Sequence, residues 1–365
     1  MGINVKIFID IGHPAHVHYF KNFIKIMKLK NHCIFVTARD KEMTHYLLRS
    51  YNIDYHTRGM GKNSVLGKFM YLFKGDFILL KKALKFKPDI FLSFGSPYAA
   101  QVSRILKKTH IVFDDTENAK LGRIMYKPFT RIILTPSCFQ KDIGNKQIRF
   151  ESFMEFCYLH PNFFKPDPNI KKFLGIKHNE RYVILRFVYW GANHDIGHNG
   201  ISNKNKIKAV NAFSKEAKVF ISSETELPNE IEKYRIEIPP YKMHDALAFA
   251  DLLYGESATM ASECAVLGTP SIYLDDVGRG YTDEEERKYN LVFNYSESDS
   301  DQKLSIKKGV EILQDKNLKP IWKKRRQKML ADKIDITAFM VWFVENYPKS
   351  KKIMKENPDF QYRFK

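Results

Sequence analysis

Cysteine is scarce in this chain, and acidic residues are few relative to basic ones. The four cysteines, Cys33, Cys138, Cys157 and Cys264, are too scattered for a zinc ribbon or a disulfide framework, and a reducing cytoplasm is the expected compartment. The 365 residues carry 41 Asp and Glu against 60 Lys and Arg, a formal net charge of +19. No stretch approaches the ~20 uninterrupted apolar residues of a membrane-spanning helix. The beginning lacks the charged start, apolar stretch and cleavage site of a secretory leader, and reads as a first strand. No G-x-G-x-x-G follows that strand, which argues against a nicotinamide enzyme. Nor is there an aromatic-centred RNP motif, a GXXG loop or a paired Cys/His ligand set, so no nucleic-acid partner is expected.

What is present suits two cores. Apolar residues make up 44% of the chain and aromatics 14%, which excludes disorder, and the length fits two domains. Short apolar runs at Val5–Ile11, Ile34–Thr37, Ile90–Phe94, His110–Phe113 and Ile132–Thr135 alternate with helical patterns near 18–30, 41–50, 66–85 and 99–107. Prolines 161, 166 and 168 break the rhythm. A second series follows, with strands at Tyr182–Phe187, Val219–Ser222, Leu252–Tyr254 and Ser271–Leu274. The order predicts an α/β protein: two Rossmann-like domains facing across a cleft, with ligands at the carboxyl ends of the strands. The expected division is an N-terminal Rossmann-like domain over 1–160, a C-terminal one over 161–345, and a polar tail over 346–365.

Four constellations carry candidate chemistry. The first is the stretch from Asp10 to His18, directly after strand one, with His13, His16 and His18. Its H-x-x-H-x-H spacing invites a metal. However, Pro14 predicts an irregular turn with a helix starting near His16, so the imidazoles need not converge; general acid/base work by one histidine is favoured and no metal or cofactor is expected. The second runs from Asp251 to Ser271. A strand ends at Gly255, a small-polar turn follows and a helix begins around Thr259, leaving free N–H groups to meet a phosphate, with Ser257, Ala258, Thr259 and Met260 as the candidate contacts. Glu263, one turn further in, can accept hydrogen bonds from a ribose diol. The third is the glycine-rich loop 189–200 with Asn193, His194 and Asp195, where a backbone can approach a ligand closely. The fourth is the acidic cluster Asp114, Asp115 and Glu117, which suits either helix capping or acid/base work.

The positive charge is not spread evenly. Lys62 to Lys87 holds seven lysines and one acid, Asp76, interleaved with Phe69, Phe73, Phe77, Leu80 and Leu84 at helical spacing. With Lys74, Lys81, Lys82 and Lys85 alongside, this segment predicts contact with an anionic membrane surface.

Read together, several segments resemble an uncharacterised bacterial and archaeal family, domain of unknown function 354, within the GT-B superfamily. They are Ile9 to Phe20, Asp114 to Glu117, Tyr158 to Pro161, His194 to Gly197 and Glu263 to Pro270. The likeness covers nearly the full length and implies GT-B architecture, with an acceptor domain over 1–160 and a nucleotide-sugar domain over 161–345. Ala15-His16-Val17 is similar to the loop that carries the general base in the peptidoglycan N-acetylglucosaminyl transferase, which implies that role for His16. Ser257, Ala258, Thr259, Glu263, Leu267, Gly268 and Pro270 match the spacing of the nucleotide motif of UDP-N-acetylglucosamine 2-epimerases. This implies diphosphate contacts for Ser257 and Thr259, and ribose contacts for Glu263. Asp115 to Ala119 lies in register with an epimerase loop as well. The resemblance thus implies a metal-independent glycosyltransferase of cell-surface polysaccharide or glycolipid synthesis, with a UDP-sugar as donor. The uracil is expected near Met243, the acceptor proton goes to His16 or an acid near Asp115, and a polyprenyl-linked acceptor at the inner face of the plasma membrane is the expected partner. A UDP-sugar 2-epimerase using the Asp114–Glu117 acids, and an inactive binding subunit, are the alternatives.

Overall fold

The computed structural model describes residues 4–41, 43–61, 65–189 and 200–365, and of 65, 66, 68 and 69 the backbone alone. Contacts divide the chain into two units, Met1–Tyr158 with Lys333–Lys365, and Leu159–Asp332.

Unit 1 runs β1 (Lys6–Ile11), α1 (Pro14–Leu29), β2 (Cys33–Asp40), α2 (Thr44–Ser50), β3 (His56–Met60), α3 (Val65–Phe86) and β4 (Ile90–Phe94). It continues through α4 (Pro97–Ile105), β5 (Thr109–Phe113), α5 (Lys120–Tyr126), β6 (Ile132–Pro136), β7 (Gln147–Phe150) and the one-turn α6 (Phe156–Leu159). The seven strands pair in the order β3-β2-β1-β4-β5-β6-β7, each pair parallel. β1 is an interior strand, with Ile9 beside Val36 on one side and Leu92 on the other. A strand covered on both faces needs a continuous apolar run, and Ile7, Phe8, Ile9 and Ile11 are accordingly fully buried. Pro14 does not produce the irregular turn expected of it. It is the first residue of α1, where the missing N–H costs nothing, and His13 caps the helix by accepting from Ala15 N through Nδ1 at 3.3 Å.

Unit 2 contains α7 (Ile170–Phe173), β8 (Tyr182–Phe187), α8 (Asn203–Phe213), β9 (Lys218–Ser223), α9 (Asn229–Glu232), α10 (Met243–Phe249) and β10 (Leu252–Gly255). Next come α11 (Ala258–Leu267), β11 (Ser271–Leu274), α12 (Gly280–Arg287), β12 (Val292–Tyr295), α13 (Asp299–Gln314) and α14 (Leu318–Asp332). Its five strands are again parallel, ordered β12-β11-β10-β8-β9.

The C-terminal segment departs from the expected division. Residues 333–345 lie in unit 1 rather than with the second sheet, and 346–365 is not a polar tail. Helix α15 (Ile336–Glu345) buries Ile336, Phe339, Met340, Phe343 and Val344, so it needs apolar surface on several sides. It finds this at unit 1, where Thr337 Oγ1 donates to Cys157 O at 3.0 Å and Glu345 pairs with Lys30 Nζ at 2.7 Å. The remaining chain forms α16 (Lys349–Glu356) and a 3-10 helix at Pro358–Phe364. Phe360 and Phe364 close over Trp342 at ring distances of 4.7 and 5.4 Å.

Candidate functional site

In unit 1 the carboxyl ends of four strands converge on one carboxylate. Asp10, fully buried at the end of β1, accepts from Thr37 Oγ1 of β2 at 2.8 Å and from Arg58 Nε of β3 at 3.0 Å. Ser96 Oγ, the cap of α4, donates to its other oxygen at 2.5 Å. Arg58 is buried too; it donates to Tyr71 Oη at 3.1 Å and lies 4.3 Å from the centre of the Tyr98 ring. Next to this pair is Asp76 of α3, whose Oδ1 is buried with no hydrogen-bond partner. Burial, then the negative charge of Asp10, push its carboxyl up to about 7, with Arg58 pulling the other way. The close approach of α3 depends on Gly75, since a Cβ there would lie 2.7 Å from the Tyr98 ring.

His13 and His16 flank the start of α1 with ring centres 5.8 Å apart. Burial holds His16 well below the usual imidazole range, helped by the positive fields of His13, Lys41 and Arg58. Its Nδ1 accepts from Gly12 N at 3.3 Å, so the neutral ring carries its proton on Nε2. In this state His16 is a hydrogen-bond donor, and it takes a proton only at Nδ1 by giving up the Gly12 bond. The general-base role expected from the sequence therefore does not match the tautomer the loop selects. His18 goes elsewhere: its Nδ1 is 3.2 Å from Tyr51 Oη and its ring packs 5.1 Å from that of Tyr158. Among the described residues no group of three His, Cys, Asp or Glu could hold a metal ion.

Asp114, Asp115 and Glu117 are all buried just after β5, but they differ in employment. Asp114 accepts from Arg123 Nε at 3.2 Å, from Thr116 N at 3.0 Å and from Tyr126 Oη, bonds that tie α5 to the sheet. Burial raises its pKa, and those three bonds pull it back. Asp115 accepts from Thr116 Oγ1 at 2.9 Å, and Glu117 from Gln140 N at 3.3 Å.

In unit 2 the strand–turn–helix after β10 has the expected form. At Gly255 the strand runs so close to β8 that a Cβ would fall 2.0 Å from Arg186 O. Ser257 caps α11 by accepting from Met260 N at 3.3 Å, so Ala258 and Thr259 present the first turn, half-buried, while Met260 is buried. Glu263 is buried, with its Oε1 2.9 Å from Nε2 of the equally buried His244. His244 follows Met243, the half-buried first residue of α10. Sequence reasoning missed both His244 and Glu256. The latter lies between strand end and cap, and its carboxylate takes Val188 N at 2.8 Å and Ile201 N at 2.6 Å. One side chain thus grips the chain on both sides of 190–199, the stretch that holds Asn193, His194 and Asp195 and lies outside the described residues. The signal available was a glutamate directly after an apolar strand, where a solvated loop residue was the simpler reading.

Comparison with known proteins agrees with this architecture. An uncharacterized protein of Methanocaldococcus jannaschii is 25% identical over 281 residues, covering 74% of this chain and 82% of its own length. The UDP-GlcNAc 2-epimerase of Neisseria meningitidis, solved bound to UDP-GlcNAc, superposes with a TM-score of 0.64 at 14% identity, over 96% of this chain and 98% of that one. The spinosyn rhamnosyltransferase SpnG, solved with spinosyn aglycone, gives 0.58 at 12% identity over 94% and 100%. At these identities the likeness is one of fold, the GT-B pairing of two parallel-sheet α/β domains expected from the sequence. The model of the family described as "Protein of unknown function (DUF354)" matches residues 5–349, and the chain belongs to that family.

Proposed function

We propose that the protein is a glycosyltransferase that moves a sugar from a nucleoside diphosphate, UDP in the first instance, to an acceptor hydroxyl in surface polysaccharide or glycolipid synthesis. The observation that carries this reading is the Ser257-capped start of α11 with Glu263 buried one turn further in and fixed by His244. In this reading the N–H groups of the first turn and the Ser257 hydroxyl meet the charge that develops on the leaving diphosphate. Glu263 receives the ribose hydroxyls, His244 holds its carboxylate in place, and Met243 lies against the base. Asn193, His194 and Asp195 contribute to the phosphate side. In unit 1, His13 and His16 donate to the acceptor, and the acceptor proton passes to Asp115 or Glu117 rather than to His16. Asp114 is excluded from that task by its commitment to Arg123 and Tyr126.

One observation favours a second reading, a UDP-sugar 2-epimerase. Two acids, Asp115 and Glu117, are buried together at the end of β5, and the fold is shared with an enzyme of that activity. Incubation with a panel of UDP-sugars, followed by NMR of the sugar products, separates the readings. Transfer to an added acceptor supports the first, and a 2-epimer with no acceptor supports the second. UDP at 100 times its Kd should stabilise the protein by about 2.7 kcal/mol, visible as a rise in Tm. Absence of any nucleotide-dependent shift sinks both readings, and a shift without turnover leaves a binding subunit.

A further inference from the structure

We propose that the outer face of unit 1 formed by α3 and α5 is a docking surface for an anionic lipid bilayer. Helix α3 carries two apolar rows, one buried and one exposed. Tyr71, Leu79 and Ala83 are buried, with Leu79 and Ala83 packed against Phe8, Phe91, Ala99 and Val102. The other row, Met70, Phe73, Phe77 and Leu84, is 60, 57, 68 and 57% exposed, with Leu80 half-buried between the two. Of the stripe expected from the sequence, Phe73, Phe77 and Leu84 belong to this outer row and Leu80 does not; the Phe69 side chain lies outside the described residues, and Lys82 is half-buried. Helix α5 repeats the pattern independently, with Leu121 and Ile124 at 70 and 69% exposure.

The two patches belong to one layer. α3 packs on α4, and α4 on α5. α3 enters from the carboxyl end of β3, where Tyr71 Oη donates to Gly59 O at 3.0 Å. α5 enters from the carboxyl end of β5, where Arg123 ties it to Asp114 at 3.2 Å. Their first turns therefore sit at the same end of the sheet.

Charge decides what covers this face. Lys74, Lys81 and Lys85 flank the outer row of α3, and Lys120 and Lys127 flank that of α5, all exposed. Neither helix has an exposed acid: α5 has none at all, and the one acid of α3, Asp76, is turned toward Arg58 and Asp10. A second copy of a chain of net charge +19 would bring like charge to like. Lipid phosphates supply the opposite sign, and a fluid surface accepts apolar side chains that stand on helix crests. No helix among the described residues is long and apolar enough to cross a membrane, so the contact is peripheral.

Vesicle flotation of the full chain tests this, and its outcome is independent of the proposed reaction, which nucleotide binding reads separately. The protein should float with phosphatidylcholine vesicles containing phosphatidylglycerol and not with phosphatidylcholine alone, and raising salt from about 0.1 to about 0.5 M should release it. Phe73→Ser with Phe77→Ser should lower partitioning about tenfold or more. Charge reversal by Lys74→Glu, Lys81→Glu and Lys85→Glu should lower it about 100-fold or more. Both variants should keep the parent Tm, because the replaced side chains are exposed. Equal binding to the two vesicle types, or no binding, overturns the proposal. So does a Phe73/Phe77 variant that changes the oligomeric state in light scattering, which would assign the face to a second copy.

Discussion

Replacing Asp76 with asparagine should stabilise the protein at neutral and alkaline pH, because the native fold holds this carboxyl where its charge is unwelcome. The folded value is raised from 3.8 to about 7, so the unfolded chain releases the proton first as the pH rises. Below about pH 4 both states are protonated and the residue is indifferent to folding. Between about pH 4 and 7 native stability falls, and above 7 the penalty is complete. Roughly three units at 1.36 kcal/mol each would be ~4 kcal/mol for a fully enclosed group. Asp76 is only half-buried, and solvent screening reduces this to about 2 kcal/mol. Asp76→Asn keeps the shape and never ionises. Its advantage over the parent should be about 2 kcal/mol near pH 8 and less than half of that near pH 5. Urea unfolding, read from Trp342 with Trp190 and Trp322 replaced by phenylalanine, follows unit 1 alone. A difference that is flat with pH would refute the reasoning. A variant less stable than the parent near pH 8 would refute it too, by showing that the ionised carboxylate is a working partner of Arg58.

Three further outcomes follow from the same geometry. His16→Ala should lower turnover by about 10²–10³-fold, as for loss of one hydrogen-bond donor, while leaving UDP affinity unchanged, since the residues proposed to hold the nucleotide lie in unit 2; equal loss of turnover and of UDP affinity would remove its role in the acceptor site. Glu263→Ala should weaken UDP far more than inorganic diphosphate, and equal weakening of the two ligands would dismiss a ribose contact. Phe364→Ala should cost unit 1 about 1–3 kcal/mol and red-shift Trp342 emission, because it uncovers the indole ring; unchanged emission would mean that the C-terminal 3-10 helix is not a structural cover.

Much of the architecture was legible because a central parallel strand buried on both faces must be a continuous apolar run, as in Ile7 to Ile11 or Leu252 to Tyr254. The three strands that went unread, His56–Met60, Gln147–Phe150 and Val292–Tyr295, are all sheet edges. An edge strand pairs on one side only and tolerates polar residues, so His-Thr-Arg-Gly-Met carries no strand pattern. The helix start after Gly255 was also legible, because a helix start is a local feature set by a few neighbouring residues, whereas the burial of Glu263 was not. The partners of a buried polar group are not local. Asp10 and Arg58 lie 48 residues apart, Glu256 and Val188 lie 68 apart, and His244 meets Glu263 from a different helix. Hydrogen-bond satisfaction in an apolar interior selects such pairs only after the sheets have formed. Local sequence therefore determined the two α/β halves and the turn that opens α11. Only the tertiary structure decided that Asp10 gathers Thr37, Arg58 and Ser96, that Asp76 is an acid held beside that cluster with its pKa raised, and that the last 33 residues complete unit 1. Each of these depends on what distant segments bring to the same low-dielectric space.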